Sequence, residues 1–150
     1  MILIAHNIRS LHNVGAILRS ADAFGVERVY LTGYTGAPPR AEISKTALGA
    51  EDRVAWTHCE NVLNVLMELK TQGYKILALD NRPGAISIET VLSGTQPVAL
   101  VLGNEVDGIE SEVIAASDQL VEILLPGRKR SLNVSVATGI ALFALSRHAA

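Results

Sequence analysis

Four short clusters hold the residues best suited to chemistry. Arg19 is the first. A guanidinium keeps its charge at physiological pH and offers a planar fork of N–H donors, so it suits a phosphate or a forming oxyanion better than it suits proton removal. Gly103-Asn-Glu105-Val-Asp-Gly108 is the second, and it sets the Glu105 carboxylate just past the most uniformly apolar run of the chain, Val98–Leu102. Ser131-Leu-Asn133 is the third, two side chains able to accept from the unpaired first amides of a helix. Arg128-Lys129-Arg130 is the fourth, three adjacent cations of the kind that grip a phosphate backbone through local, salt-dependent contacts. Each cluster also has a plainer reading. Arg19 could form an exposed pair with Asp22, worth little; Gly103 and Gly108 could be turn residues; a basic tip is often only solvated.

Several chemistries are excluded by pattern. Gly103 and Gly108 have four residues between them, as in a P-loop, but Ile109-Glu110 follows where Lys-Ser/Thr is required. No G-x-G-x-x-G, H-E-x-x-H or G-x-S-x-G occurs, and His6 and His12 read as loop residues. Cys59 is the sole cysteine, so an internal disulfide and a cysteine zinc cage are ruled out and no metal site is expected. The net charge of −2 leaves any nucleic-acid contact to a local patch. No apolar run approaches the roughly 20 residues that span a bilayer, and Met1–Ala5 lacks the marks of a signal peptide, so a soluble, cytoplasmic chain without membrane contact is expected.

The elements that must position these residues alternate. Ile2–Ala5 reads as a buried strand, His6–His12 as a polar loop, and the stretch from Asn13 as a helix, with Val14, Ile17, Leu18 and Ala21 on one face and Gly25 as the stop. Arg28–Thr32 is a second strand, completing a βαβ unit. Gly33–Arg40 is a loop. Ser44 is placed to cap a short helix through Leu48, Arg53–Trp56 is a short strand, and Val62, Leu63, Leu66 and Leu69 mark a helix ended by Gly73. Lys75–Leu79 and Val98–Leu102 are strands, the latter central and covered on both faces. Ser111 is placed to cap a helix through Ala116, Leu120–Leu125 is the last strand, and Leu132–His148 is a last helix so apolar all round that it is expected to be buried. The 150 residues therefore form one domain, 1–150, an open, mostly parallel α/β sheet with helices on both faces. Ligands of such sheets sit beyond the strands' carboxyl ends, here the loops after Ala5, Leu79, Leu102 and Leu125.

Three separated blocks, Asn13-Val-Gly-Ala-Ile-Leu-Arg19-Ser-Ala-Asp-Ala-Phe-Gly25, Leu102-Gly-Asn-Glu105-Val-Asp-Gly108 and Leu125-Pro126 through Ser131-Leu-Asn133-Val-Ser135-Val-Ala137, resemble the signature motifs of the SPOUT superfamily. More narrowly they resemble the TrmH family of RNA ribose 2′-O-methyltransferases, as does Lys45-Thr-Ala-Leu-Gly49-Ala50. The resemblance runs in order from about Asn7 to Arg147. It implies S-adenosylmethionine as methyl donor, a carboxyl-terminal trefoil knot, a homodimer, and tRNA or rRNA as substrate. By that likeness the donor is held by Leu79, Leu102, Gly103, Leu125, Ser131, Leu132 and Asn133, chiefly through backbone groups. Arg19 is the catalytic arginine, with Asn13, Glu105, Ser131 and Asn133 as the polar network around it. Arg9 joins Arg128, Lys129 and Arg130 as a candidate RNA contact. The segment Pro126–Ser131 is shorter and more basic than in many relatives, and the extra RNA-binding segments that many members carry at one or both ends are not in this sequence. Two rivals stand beside this reading: a protein of the same fold that binds RNA without catalysis, and an ordinary nucleotide-binding α/β enzyme, against which the missing glycine fingerprints count.

Overall fold

The computed structural model describes residues 1–91 and 96–147. In chain order the elements are β1 Ile2–His6, α1 Leu11–Ala23, β2 Arg28–Thr32, α2 Ala41–Ala47, β3 Trp56–Cys59, α3 Val62–Thr71, β4 Lys75–Leu79, β5 Ile86–Ser87, β6 Val98–Leu102, α4 Ser111–Ala116, β7 Gln119–Glu122 and α5 Val134–Ser146. Single 3₁₀ turns lie at Ala50–Asp52 and Ile88–Thr90. The strands form one seven-stranded sheet in the order β3-β2-β1-β6-β4-β7-β5, and every pairing is parallel. β6 occupies the centre, as its uniform apolarity requires.

Because side chains alternate across a strand, the sheet has two cores. On one face Leu3, Ala5, Leu100 and Leu102 pack with Val14, Ile17 and Leu18 of α1, Ile43 of α2 and Leu142 of α5. On the other, Ile2, Ile4, Ala99 and Val101 pack with Val65, Leu66 and Leu69 of α3 and Val113 of α4. α1 and α2 approach closely at Gly15, where an added Cβ would stand 2.2 Å from the Ile43 carbonyl oxygen.

Several boundaries differ from the sequence expectation. α1 begins at Leu11, two residues early, because Ser10 is the cap and accepts from Asn13 N; the polar loop therefore ends before His12. Ser44 lies inside α2, which follows Arg40, and Ser111 is the first residue of α4 rather than its cap. The third strand is Trp56–Cys59, not Arg53–Trp56. Its register against β2 starts at Val29↔Trp56, and the apolar Val54 is buried in the core ahead of the strand rather than paired in the sheet. β7 stops at Glu122, where its partner β5 also ends, so Ile123 and Leu125 leave the sheet. The last helix starts at Val134 under an Asn133 cap; the expected end at His148 falls outside the described residues.

α5 is only half covered. Thr138, Ala141, Leu142 and Leu145 are buried, whereas Val136, Ile140 and Phe143 are 51%, 40% and 53% exposed. The expectation of full burial from all-round apolarity therefore holds for one face of α5 and not for the other. Among the described residues no helix is long and apolar enough to cross a membrane, and no group of His, Cys, Asp and Glu could hold a metal ion.

Candidate active site

The sheet's strand order reverses around β1 and β6, and at the carboxyl ends of β4, β6 and β7 lies a cavity of about 340 Å³. That is within the roughly 300–1,000 Å³ of small-molecule sites. Three segments wall it: the turn after β4, the loop after β6, and the stretch from Ile123 to Val134. They are tied to one another. Asn81 Nδ2 donates to the Arg130 carbonyl, Arg82 Nη2 donates to the Asp107 carbonyl at 3.0 Å, and Ile109 N donates to Asp80 Oδ2 at 2.9 Å. Gly103 permits this convergence, since a Cβ there would stand 2.5 Å from Ile109 Cγ1 and 2.7 Å from the Gly108 carbonyl carbon.

Leu79, Leu102, Gly103, Leu125, Ser131 and Leu132, six of the seven positions expected to hold a donor, line this one cavity. The seventh, Asn133, lines an adjoining cleft together with Arg9, Ser10, Asn13 and Glu105. Glu105 faces both.

A continuous hydrogen-bonded chain runs along that cleft. Glu105 Oε1 accepts from Ser10 N and from Asn13 Nδ2, each at 3.0 Å, and its Oε2 accepts from Arg9 N at 3.0 Å. Asn13 Oδ1 in turn accepts from Asn133 Nδ2 at 3.1 Å, and Asn133 Oδ1 accepts from Ser135 N at 2.9 Å and Ser135 Oγ at 2.6 Å. Burial alone would raise the Glu105 pKa. The bonds from Arg9 N, Asn13 Nδ2 and Ser10 N outweigh it and hold the carboxyl below its ordinary value. Glu105 is thus an ionised acceptor already filled by donors, fit to fix the amino end of α1 and poorly fit to take a further proton.

The expected residues do not all meet. Asn13, Glu105 and Asn133 are bonded together, whereas Ser131 is exposed on the cavity wall and lies outside that chain. Arg19 is exposed on α1, six residues and so about 9 Å along the axis from Asn13, and lines neither space. It does not pair with Asp22 either; Asp22 Oδ2 accepts from Arg53 Nη2 at 2.7 Å and from Arg53 Nε at 3.0 Å. Arg128, Lys129 and Arg130 are exposed beside the cavity, and Arg130 also lines it.

Sequence reasoning missed a second polar cluster at the ends of β1 and β2. His6 is buried between Thr32 Oγ1, 2.9 Å from Nδ1, and Glu110 Oε2, 2.8 Å from Nε2. Asn7 Nδ2 donates to Glu110 Oε1 at 2.9 Å. Asn104 Oδ1 accepts from Val106 N and Asp107 N, each at 2.8 Å, and so shapes the loop that carries Glu105. His6 ends β1, and Asn7 and Asp80 directly follow the carboxyl ends of β1 and β4, which was the available signal.

Ligand sites of open α/β sheets lie beyond the carboxyl ends of the strands, as this cavity does. The chain is an open, parallel α/β domain with a cavity of small-molecule size at its strand ends. It belongs to the SpoU rRNA Methylase family, whose model matches residues 1–143, in keeping with the resemblance carried by the three motifs. It is 39% identical over 143 residues to the 23S rRNA (guanosine-2'-O-)-methyltransferase RlmB of Xanthomonas axonopodis pv. citri, covering 95% of this chain and 57% of that one. It is 34% identical over 148 residues to the tRNA (guanosine(18)-2'-O)-methyltransferase of Aquifex aeolicus, covering 98% and 69%. Among solved structures, an AdoMet-bound rRNA methyltransferase from Sinorhizobium meliloti superposes with a TM-score of 0.91 at 29% identity, covering 98% of this chain and 56% of the other. The chain thus spans little more than half the length of the first of these relatives.

Proposed function

We propose that residues 1–150 act as one methyltransferase domain that moves a methyl group from S-adenosylmethionine to a ribose 2′-hydroxyl of rRNA or tRNA. The observation that carries this reading is the meeting of a donor-sized cavity with the Glu105–Asn13–Asn133 chain at its edge, in a family whose named relatives are 2′-O-methyltransferases of both RNA classes.

The cavity's chemistry suits the donor. Leu79, Leu102, Leu125 and Leu132 supply an apolar bed for an adenine ring, and Asp80, Glu105, Asp107 and Glu122 outnumber Arg82 and Arg130 on its walls, which favours a sulfonium cation. When bound there, S-adenosylmethionine supplies the activated methyl group. The residues of the chain do the rest. The Glu105–Asn13–Asn133 chain fixes the cleft in which a ribose would lie, holding reactants in line. Arg128 and Lys129 seat the phosphate backbone. Arg19 binds the adjacent phosphate through its guanidinium and stabilises the alkoxide as it forms, while a phosphate oxygen or water takes the proton.

The domain works as a homodimer with its last segment threaded in a trefoil knot. In keeping with the threading, the ties from Asn81 to Arg130 and from Arg82 to Asp107 hold the loop after β4 against the final segment and against the loop after β6. Support for the dimer comes from the exposed Val136, Ile140 and Phe143 of α5. A second copy on that face would lie beside α1, and this offers Arg19 a site it does not reach in its own chain. Mixing Arg19→Ala with Asn133→Ala subunits tests the arrangement: recovery of part of the wild-type rate puts Arg19 in the partner's site, and no recovery puts it in its own. Incubation of the protein with methyl-labelled donor and separate rRNA and tRNA pools tests the activity itself; label in neither pool, with the donor still bound, would favour a binding protein that has lost catalysis.

A further inference from the structure

Among the described phenylalanine, tyrosine and tryptophan residues, Tyr34 and Phe143 are the exposed ones, and Phe143 lies on the outward face of α5. Tyr34 is 61% exposed, yet its surroundings hold it still. Its hydroxyl accepts from Asn104 Nδ2 at 2.7 Å, and its backbone N–H donates to Asn7 Oδ1 at 3.2 Å. The next residue, Thr35, is buried; its Oγ1 lies 2.9 Å from the Ala5 carbonyl oxygen and accepts from Ile8 N at 3.0 Å. A tyrosine whose ring faces water while its edge and backbone are pinned has already lost the freedom that binding would otherwise cost.

The pinning also places the ring. Asn104 Nδ2 bonds both Tyr34 and the Asn7 carbonyl, and the same side chain's Oδ1 shapes the loop of Glu105. Glu105 in turn accepts from Arg9 and Ser10. Tyr34 is therefore joined through one buried amide to the loop of Glu105, which lines the cleft in which the reacting ribose is proposed to lie.

We infer that Tyr34 is a stacking platform for an unpaired nucleobase of the RNA, adjacent to the ribose that is methylated. The inference rests on the RNA-modifying reading of the site and adds to it: the substrate presents a splayed base, from a loop, bulge or end, rather than an intact duplex. Every base has an aromatic face, so this contact contributes affinity without choosing the base.

The test is equilibrium binding of tRNA and of rRNA fragments to the wild-type chain, Tyr34→Phe and Tyr34→Ala, across a salt series, with donor affinity measured separately by calorimetry. Removal of the ring is expected to weaken RNA binding by about 5- to 150-fold, the range for loss of one base–aromatic stack. The slope of affinity against salt should be unchanged, because no phosphate contact is lost. Tyr34→Phe keeps the ring and should stay within about 3-fold of wild type, and all three proteins should bind S-adenosylmethionine alike. Unchanged RNA affinity in Tyr34→Ala would overturn the inference. So would an equal loss in Tyr34→Phe, which would assign the effect to the hydroxyl's bond with Asn104, or a loss of donor binding in Tyr34→Ala, which would mark Tyr34 as a structural support. A wild-type chain that binds the donor but no RNA would instead overturn the RNA reading on which the inference stands.

Discussion

Glu105→Gln tests the polar chain at the residue that holds most of it. The carboxylate fills its two oxygens with three N–H groups, Ser10 N and Asn13 Nδ2 on one and Arg9 N on the other. Glutamine has one acceptor oxygen. Placed where Oε1 was, it keeps Ser10 and Asn13 and turns its own NH₂ toward the Arg9 N–H; flipped, it keeps Arg9 and opposes the other two. The better placing still loses one bond to a charged acceptor, about 1.5–3 kcal/mol. Because Glu105 is largely exposed, water recovers part of that, and the lower end applies. For a domain of this size, about 1.5 kcal/mol lowers Tm by roughly 3–6 °C. The pH dependence adds a sign. The folded pKa lies below the ordinary 4.5, so the stabilisation is fully present above the unfolded value and is lost as pH falls through the folded one. The gap in Tm between wild type and Glu105→Gln, followed by circular dichroism, should hold steady from pH 8 to about 5 and close at lower pH. Equal melting at neutral pH would refute the argument, as would a gap that persists once both proteins carry an uncharged side chain.

Gly103→Ala should cost about 1–3 kcal/mol and abolish tight donor binding, because the new methyl meets the Gly108 backbone, which cannot swing aside; thermal melting and calorimetry read the two effects. Asn133→Ala removes the cap that accepts from Ser135 N, about 0.5–2 kcal/mol, together with the bond to Asn13. Asn133→Asp can still cap the helix but cannot donate to Asn13, so it should recover the melting temperature and not the methyl-transfer rate; recovery of both would show that the link is dispensable. Replacing Arg128 and Lys129 with Gln should weaken RNA binding and lower the salt slope by about 0.7–0.9 per lost phosphate contact, leaving donor affinity unchanged, whereas an unaltered slope would return the loop tip to the role of a solvated turn.

Much of the frame could be read from residues alone, and the failures have physical causes. Apolar periodicity located every long element, because burial on one or both faces leaves a period of 3.6 or 2. The boundaries that moved were those where a cap or a neighbour decides. Ser10, Ser44 and Ser111 are all competent caps, and only tertiary structure selects which one is used. Leu120–Leu125 is apolar but for Glu122, yet Ile123 and Leu125 line a cavity rather than a sheet, a difference that hydropathy does not encode. Six of the seven positions put forward for the donor line one cavity, whereas Asn133 lines the adjoining cleft and Arg19 stands apart on an exposed stretch of α1, a placement that spacing along the chain does not express. The strand end marked His6 and Asn7, but what they and Tyr34 and Asn104 bond to could not be read, because the partners are up to 104 residues away in sequence, as His6 is from Glu110.

The central claim is methyl transfer to ribose, and its most direct measurement is the product itself. Purified protein is incubated with methyl-labelled S-adenosylmethionine and with unmodified rRNA and tRNA, and the RNA is then digested to nucleosides and resolved by mass spectrometry. The account predicts a 2′-O-methylnucleoside in one of the two pools and its loss in Arg19→Ala and Asn133→Ala. Label on a base rather than a ribose, or product formation that survives both substitutions, would contradict it.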